Sequence, residues 1–272
     1  MTLQFGSIQR LVGSALVLQV AFALPGAAQS YSAPEQANLP SVAAPVVRDS
    51  GYRAGIGERA MYDVEYKGHG VGSGSLEIIG RESTNGFATY HAALKLNAGW
   101  LFAKVNEEFD SWFDPTRYFS RRFMQDQHEL TKSRKRNYEI TPESGRFHET
   151  VTNVTDSLNT REPLDDISFL FYVRTLPLKV GDVDTIPRYF KAGRDVIVKV
   201  VRRENVTVPA GTFSTIVVQP TITNAGGLFG QGGKAEVYLS DDARRTVVKL
   251  TSTVPVIGSL ALTLRDARAG VP

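Results

Sequence analysis

The side chains best able to do chemistry in this 272-residue chain are few and scattered. Its four histidines, His69, His91, His128 and His148, lie in four separate segments. None belongs to an H-x-H, H-x-x-E-H or H-E-x-x-H pattern, so no metal-binding set is indicated, and they read as isolated surface or strand-end residues. Cysteine is absent, which removes thiol nucleophiles, CxxC redox chemistry and cysteine zinc sites. Among the acidic residues, Asp165-Asp166 reads as a helix cap and Asp241-Asp242 as a turn. A glycosidase pair would need two carboxylates facing each other across a cleft, and nothing in their spacing assigns one. No G-x-S-x-G or S-x-x-K motif occurs. The glycine-rich stretch from Ala225 to Ala235 departs from a phosphate loop at Leu228 and Ala235 and leads into a strand, so no helix N-terminus would face a phosphate. The sequence therefore assigns no catalytic residue, metal ligand or cofactor, and a non-enzymatic role is expected.

Two features point instead to binding. The first is a basic run, Lys132, Arg134, Lys135 and Arg136, with Arg121 and Arg122 nearby. It reads either as the solvated face of paired strands or, through Lys132, Arg134 and Arg136, as a contact for anionic lipid headgroups. Each cation at such a surface is worth ~1 kcal/mol. No aromatic residues are interleaved with the run, so single-stranded nucleic acid is not an expected partner. The second feature is a pair of apolar loop tips, Trp100, Leu101 and Phe102 in one and Leu228 and Phe229 in the other. Apolar clusters on loops mark a binding lip or peripheral membrane contact, at ~1.5–3 kcal/mol for each side chain buried. The alternative is that both tips fold back as core plugs.

The N-terminus places these features outside the cytoplasm. Arg10 precedes a run from Leu11 to Leu24 that is almost wholly apolar, and small residues follow at Gly26 and Ala28. This is the pattern of a secretory signal, expected over residues 1–28. The run is shorter than the ~20 residues that span a bilayer. No cysteine follows it to carry a lipid anchor. Residues 29–57, with Pro34, Pro40 and Pro45 among alanines and serines, read as a linker. The composition, 42% hydrophobic and 22% charged with a formal net charge of +3, is that of an ordinary globular domain. A domain of this size can bury a sufficient core without disulfides.

From Glu58 the pattern alternates. Ala60, Tyr62, Val64 and Tyr66 fall on one face, and the same period recurs at Tyr90–Leu96, Phe109–Phe113, Phe119–Phe123, Val196–Val200 and Leu260–Leu264. Alternation over five to nine residues bounded by Gly, Asn-Gly or Pro marks half-buried strands, and Asn85-Gly86 and Ser144-Gly145 read as hairpin turns. One segment breaks the period. Asp165 can cap a helix running to Leu176, in which Phe169, Leu170, Tyr172 and Val173 make most sides apolar. These elements predict a mainly β fold: a curved antiparallel sheet of about twelve strands, a half-barrel or incomplete barrel, wrapped around one central apolar helix. A single β domain is expected over 58–266, with a tail over 267–272. A membrane-spanning barrel is disfavoured because Lys and Arg occupy both faces of several strands.

Three segments carry a resemblance: Pro163 to Asp182, Val208 to Pro220, and Tyr238 to Arg245. Together they resemble the domain-of-unknown-function family 3108 of Gram-negative envelope proteins, over roughly Glu58 to Leu264. The resemblance implies export to the periplasm or the outer-membrane periphery. At fold level it implies a likeness to lipoprotein-carrier (LolA/LolB-like) half-barrels, which cradle acyl chains. The expected function is binding of an amphiphilic envelope component, a lipid, lipoprotein or glycolipid, in an apolar concavity. Its contacts would be Trp100, Leu101, Phe102, Phe169, Leu170, Tyr172, Val173, Leu228 and Phe229. The alternative is a structural or assembly factor with a filled core, working through an envelope protein partner.

Overall fold

The computed structural model describes residues 50–100, 103–129, 132–191, 193–223, 234–254 and 258–272. The expected signal peptide, most of the expected linker, and Leu101, Phe102, Leu228 and Phe229 lie outside the described residues, as do the side chains of Trp100 and Lys132.

Period-two sequence becomes strand throughout. Fourteen strands are described: β1 (Arg59–Tyr66), β2 (His69–Thr84), β3 (Phe87–Trp100), β4 (Ala103–Phe113), β5 (Ser120–Glu129), β6 (Lys132–Thr141), β7 (Arg146–Glu149), β8 (Val154–Ser157), β9 (Val183–Ile186), β10 (Val196–Val208), β11 (Gly211–Ile222), β12 (Lys234–Ser240), β13 (Val247–Val254) and β14 (Gly258–Arg268). The two-residue turn Asn85-Gly86 places both residues at positive φ, 52° and 82°, the conformation that favours an Asn-Gly hairpin. Fourteen exceeds the expected twelve because β7, β8 and β9 have four residues each, too few for alternation to register.

The strands form one open antiparallel sheet in the order β8-β7-β6-β5-β4-β3-β2-β1-β14-β13-β12-β11-β10-β9. Each strand neighbours the next in sequence except at one place. The chain leaves β8 at one edge, crosses through residues 158–182, and enters β9 at the other edge. β1 and β14 pair in the middle of the sheet, with Arg59 opposite Arg268 and Tyr66 opposite Leu260. Register shifts at Met61/Tyr62, Ile78/Gly80 and Val200/Arg202 add the local twist by which bulges help a sheet curl. The sheet does not close, yet its flanks meet. Phe190, just after β9, packs on Phe123 of β5, Tyr138 of β6 and Phe147 of β7 at centroid distances of 5.0–6.1 Å.

The crossing segment carries the helix α1 (Asp166–Val173). Its N-cap is Asp165, whose carboxylate accepts from the Ile167 and Ser168 backbone N–H groups, while Ser168 Oγ accepts from the Asp165 N–H in return. That is a capping box. Helical geometry stops at Arg174, three residues before Pro177, and the Thr175 hydroxyl donates to the Tyr172 carbonyl. The expected end at Leu176 is thus about one turn late. Residues 167–173 are all buried, Phe171 lies 5.3 Å from Phe113, and the helix packs on β3 and β4.

The folded unit also begins earlier than expected. Tyr52 and Ala54 are buried, the Ser50 hydroxyl donates to the Arg174 carbonyl, and Ile56 pairs with Val271. Residues 50–57, which the expected linker included, are packed chain. The expected tail is partly strand, since β14 runs to Arg268. Burial of Tyr52 and pairing of Ile56 with Val271 hold the first segment, and pairing of β14 with β1 holds the second; neither shows as period.

Candidate binding site on the inner face

Register decides which side chains share the inner face with the helix. On β6, Tyr138 and Ile140 are buried against the core, so alternation puts Arg136 and Arg134 on the same face toward the β5–β6 turn. The partners of Tyr138, Arg136 and Arg134 on β5 are Phe123, Gln125 and Gln127. On β4 the row continues as Ser111, Phe109 and Glu107, and on β3 as Ala92, Leu94, Leu96 and Ala98. Burial falls along every row in the same direction. Phe123, Leu94 and Tyr138 are buried, whereas Gln125, Gln127, Leu96, Ala98, Phe109, Arg134, Arg136 and Leu260 are half-buried. On β2 the corresponding positions are Gly72 and Gly74, opposite Ala98 and Leu96, and contribute no side chain. Beyond the helix the inner face thus becomes a half-exposed floor, apolar on β3 and β4 and basic on β6.

Arg134 and Arg136 therefore face inward, and the reading of this run as a wholly solvated face is corrected for both. Lys135, on the other face, pairs with Asp126 at 3.2 Å. Lys191 reaches the same place from the opposite flank of the sheet. Its Nζ donates to Tyr138 OH at 2.9 Å and stands 4.6 Å from that ring. Burial, then the charges of Arg194 and Arg136, draw its pKa down to about 8. Burial and Arg136 also lower Arg134. Asp166, at the start of α1, is pushed up to about 6 by burial and by Asp165 beside it. Sequence reasoning missed Lys191 and Arg194 because they sit in an irregular segment with no run of charge around them.

Phe169, Leu170, Tyr172 and Val173, expected as ligand contacts, are at most 6% exposed. They are packed against β3 and β4 and present no open surface. Leu96 and Ala98 of β3 and Phe109 of β4 are only partly buried where they pack against the core.

A second polar cluster occupies the outer face. His91 lies between two carboxylates, with Nδ1 2.8 Å from Glu82 and Nε2 2.8 Å from Asp110. It stacks on Trp112 at 4.3 Å, and the Trp112 indole N–H donates to Glu82 at 2.7 Å. Burial alone would lower the His91 pKa, but the bonds to Asp110 and Glu82 outweigh it and hold it above the usual histidine value. With both ring nitrogens donating, the ring is a charged strut, so His91 is not isolated as expected. Also on this face, a shallow groove of about 310 Å³ is lined by polar residues such as Lys95, Asn97, Glu108, Asp126 and His128. Among the described residues, no three His, Cys, Asp or Glu side chains are grouped to hold a metal ion, and no helix is long and apolar enough to cross a membrane.

The three segments behind the family resemblance meet at one structural knot. Arg174 is 3% exposed. Its guanidinium pairs with Glu58, donates to the carbonyls of Arg244 and Arg245, and lies 3.8 Å from the Tyr52 ring. The Asp241 N–H donates to the Ser214 carbonyl, and Gly211 turns between β10 and β11 at a φ of 129°. A buried guanidinium with every neighbour satisfied is costly to disturb, which accounts for these segments as structure and assigns them no chemistry.

The model of the DUF3108 family, described as a protein of unknown function, matches residues 61–265. The chain belongs to that family. No curated protein matches it. Among solved structures, this DUF3108 domain is similar to a β-barrel-like protein of the domain of unknown function DUF1849 from Brucella abortus. The TM-score is 0.50 at 10% identity, over 80% of this chain and 99% of the other. Weaker similarities are to a protein described as a lipoprotein from Parabacteroides distasonis (TM-score 0.29, 10% identity, 81% and 99% covered) and to one described as exported, with a YmcC-like fold, from Bacteroides fragilis (0.30, 12%, 80% and 98%). At such identities the likeness concerns the fold alone.

Proposed function

We propose that this DUF3108 protein is a non-enzymatic binder of an amphiphilic component of the cell envelope, held on the inner face of the rolled sheet. One observation carries the reading. The buried core grades along the inner rows into the partly buried Leu96, Ala98, Phe109 and Leu260, which pack against it, beside the polar Gln125, Gln127, Arg134 and Arg136. An acyl chain would cover the apolar part at about 25 cal/mol per Å² of surface removed from water. Export by the N-terminal signal would place the protein in the periplasm or at the outer-membrane periphery. Delipidated protein is expected to bind a fluorescent fatty-acid probe, and Phe109→Gln to weaken that binding several-fold with the fold intact by circular dichroism. Absence of saturable probe binding would overturn the reading.

The second reading, an assembly factor acting on an envelope protein, draws on the sheet edges. Val151 and Val154 by β8 and Val180 and Val183 by β9 are exposed, and open edges offer backbone groups for pairing with another chain. A defined protein partner that survives Phe109→Gln would favour it.

A further inference from the structure

We propose that the inner face carries a site for a phosphate-type oxyanion, centred on Lys191 and walled by Arg134, Arg136 and Arg194. The proposal rests on the amphiphile reading only for the source of the anion, since a lipid headgroup and a free phosphate present the same chemistry.

The case begins with charge. Arg134, Arg136, Lys191 and Arg194 are all half-buried. The two β6 arginines share a strand face with Tyr138, whose OH meets Lys191 Nζ at 2.9 Å, and the charges of Arg194, Arg136 and Arg134 all act on Lys191. Two carboxylates accompany them. Glu149 stands 3.7 Å from Arg136, but its oxygens already accept from the backbone N–H groups of Val151 and Thr152. Asp166 accepts from Tyr189 OH at 3.4 Å. Arg134 and Arg194 make no hydrogen bond or ion pair among the described residues. Glu149 acts on Arg134 and Asp166 on Arg194 through charge alone, so both guanidiniums keep half-buried N–H donors that a ligand oxygen can pair with. The lowered pKa of Lys191 records the same excess of positive charge.

Donor chemistry then selects the ligand. Three planar guanidinium forks, an ammonium and the Tyr138 hydroxyl supply more donors than the two oxygens of a carboxylate can accept. They suit a tetrahedral oxyanion, which arginine binds through paired N–H groups. The site is also composite. Arg134 and Arg136 come from β6, near one edge of the sheet, and Lys191 and Arg194 from the connection between β9 and β10 at the other edge. An anion there would tie the two flanks together just where Phe190 already packs on Tyr138.

The test uses calorimetry on the full mature protein with three probes: inorganic phosphate, dihexanoyl phosphatidic acid and dihexanoylglycerol, the lipids below their aggregation concentrations. The phosphatidic acid is expected to bind about tenfold or more tighter than the diacylglycerol. Arg134→Gln/Arg136→Gln should bring the affinity for the phosphatidic acid down to that for the diacylglycerol and so erase the difference. Lys191→Arg should preserve it and Lys191→Met should reduce it, with thermal melts checking each fold. Equal affinity for the two lipids would overturn the anion site and leave the amphiphile reading standing. Phosphate binding as tightly as the phosphatidic acid would keep the site, identify a free anion as its ligand and count against the amphiphile reading. No binding of either phosphate-bearing probe would overturn the site outright.

Discussion

Single side chains in this protein do their work through pairing. His91 is held between Glu82 and Asp110 with its ring charged, so its pKa is higher in the folded chain than in the unfolded one. Linkage gives the direction of the pH effect: a raised pKa means that the folded state holds the proton more tightly. The stabilisation is therefore complete below the unfolded histidine value of about 6.5 and is lost as pH rises through the folded value. Urea unfolding of the wild type should show stability declining with pH across that window, and His91→Gln should flatten the decline. An unchanged slope would remove the charged strut. None of this was legible in the sequence, because Glu82, His91 and Asp110 come from three strands and meet only through cross-strand register. The same is true of Lys191, whose neighbours on β6 are more than fifty residues away in the chain. Arg134 and Arg136 were visible as a basic run. Their inward orientation follows from the parity they share with Tyr138 and Ile140, and the charge run hid it.

At the scale of elements, the strands were legible wherever burial is one-sided and the run is long, as in β1, β3 and β10. The short edge strands were not. The helix was legible for a different reason: the cap and the i, i+3, i+4 apolar spacing are local signals. What the sequence could not show is how its cap is anchored. Asp165 is fully buried and also accepts from Ser111 Oγ of β4 at 2.6 Å and Ser120 Oγ of β5 at 2.5 Å. The desolvation outweighs these bonds and leaves its pKa raised. One side chain thus starts the helix and fastens it to the sheet. Asp165→Ala should cost about 1 kcal/mol for the cap and a further ~1–3 kcal/mol for the stranded serine hydroxyls. Asp165→Asn keeps an acceptor and should cost less. Chemical denaturation of the two variants gives the comparison, and equal losses would mean that the serines are not anchored by this group.

For the molecule as a whole, the governing fact is that one crossing segment joins the two edges of an open fourteen-stranded sheet. The expected curved half-barrel captured this architecture in outline, since an open curled sheet with one helix is what forms. The likeness to the β-barrel-like DUF1849 structure agrees at the level of fold. Cross-flank contacts such as Phe190 with Phe123 and Phe147 depend on how far the sheet rolls, which alternation along a strand does not encode. The central pairing of β1 with β14 has a mechanical consequence. Arg59 and Arg268 face each other at the same end of that ladder, so tension applied through the two chain ends opens it one hydrogen-bonded pair at a time, like a zipper. Handles at Lys67 and Arg268 would instead load the same ladder in shear, where all the pairs resist together. In a single-molecule pulling experiment the first geometry should yield at the lower force. A domain so arranged would come apart readily when drawn through a narrow pore from either end.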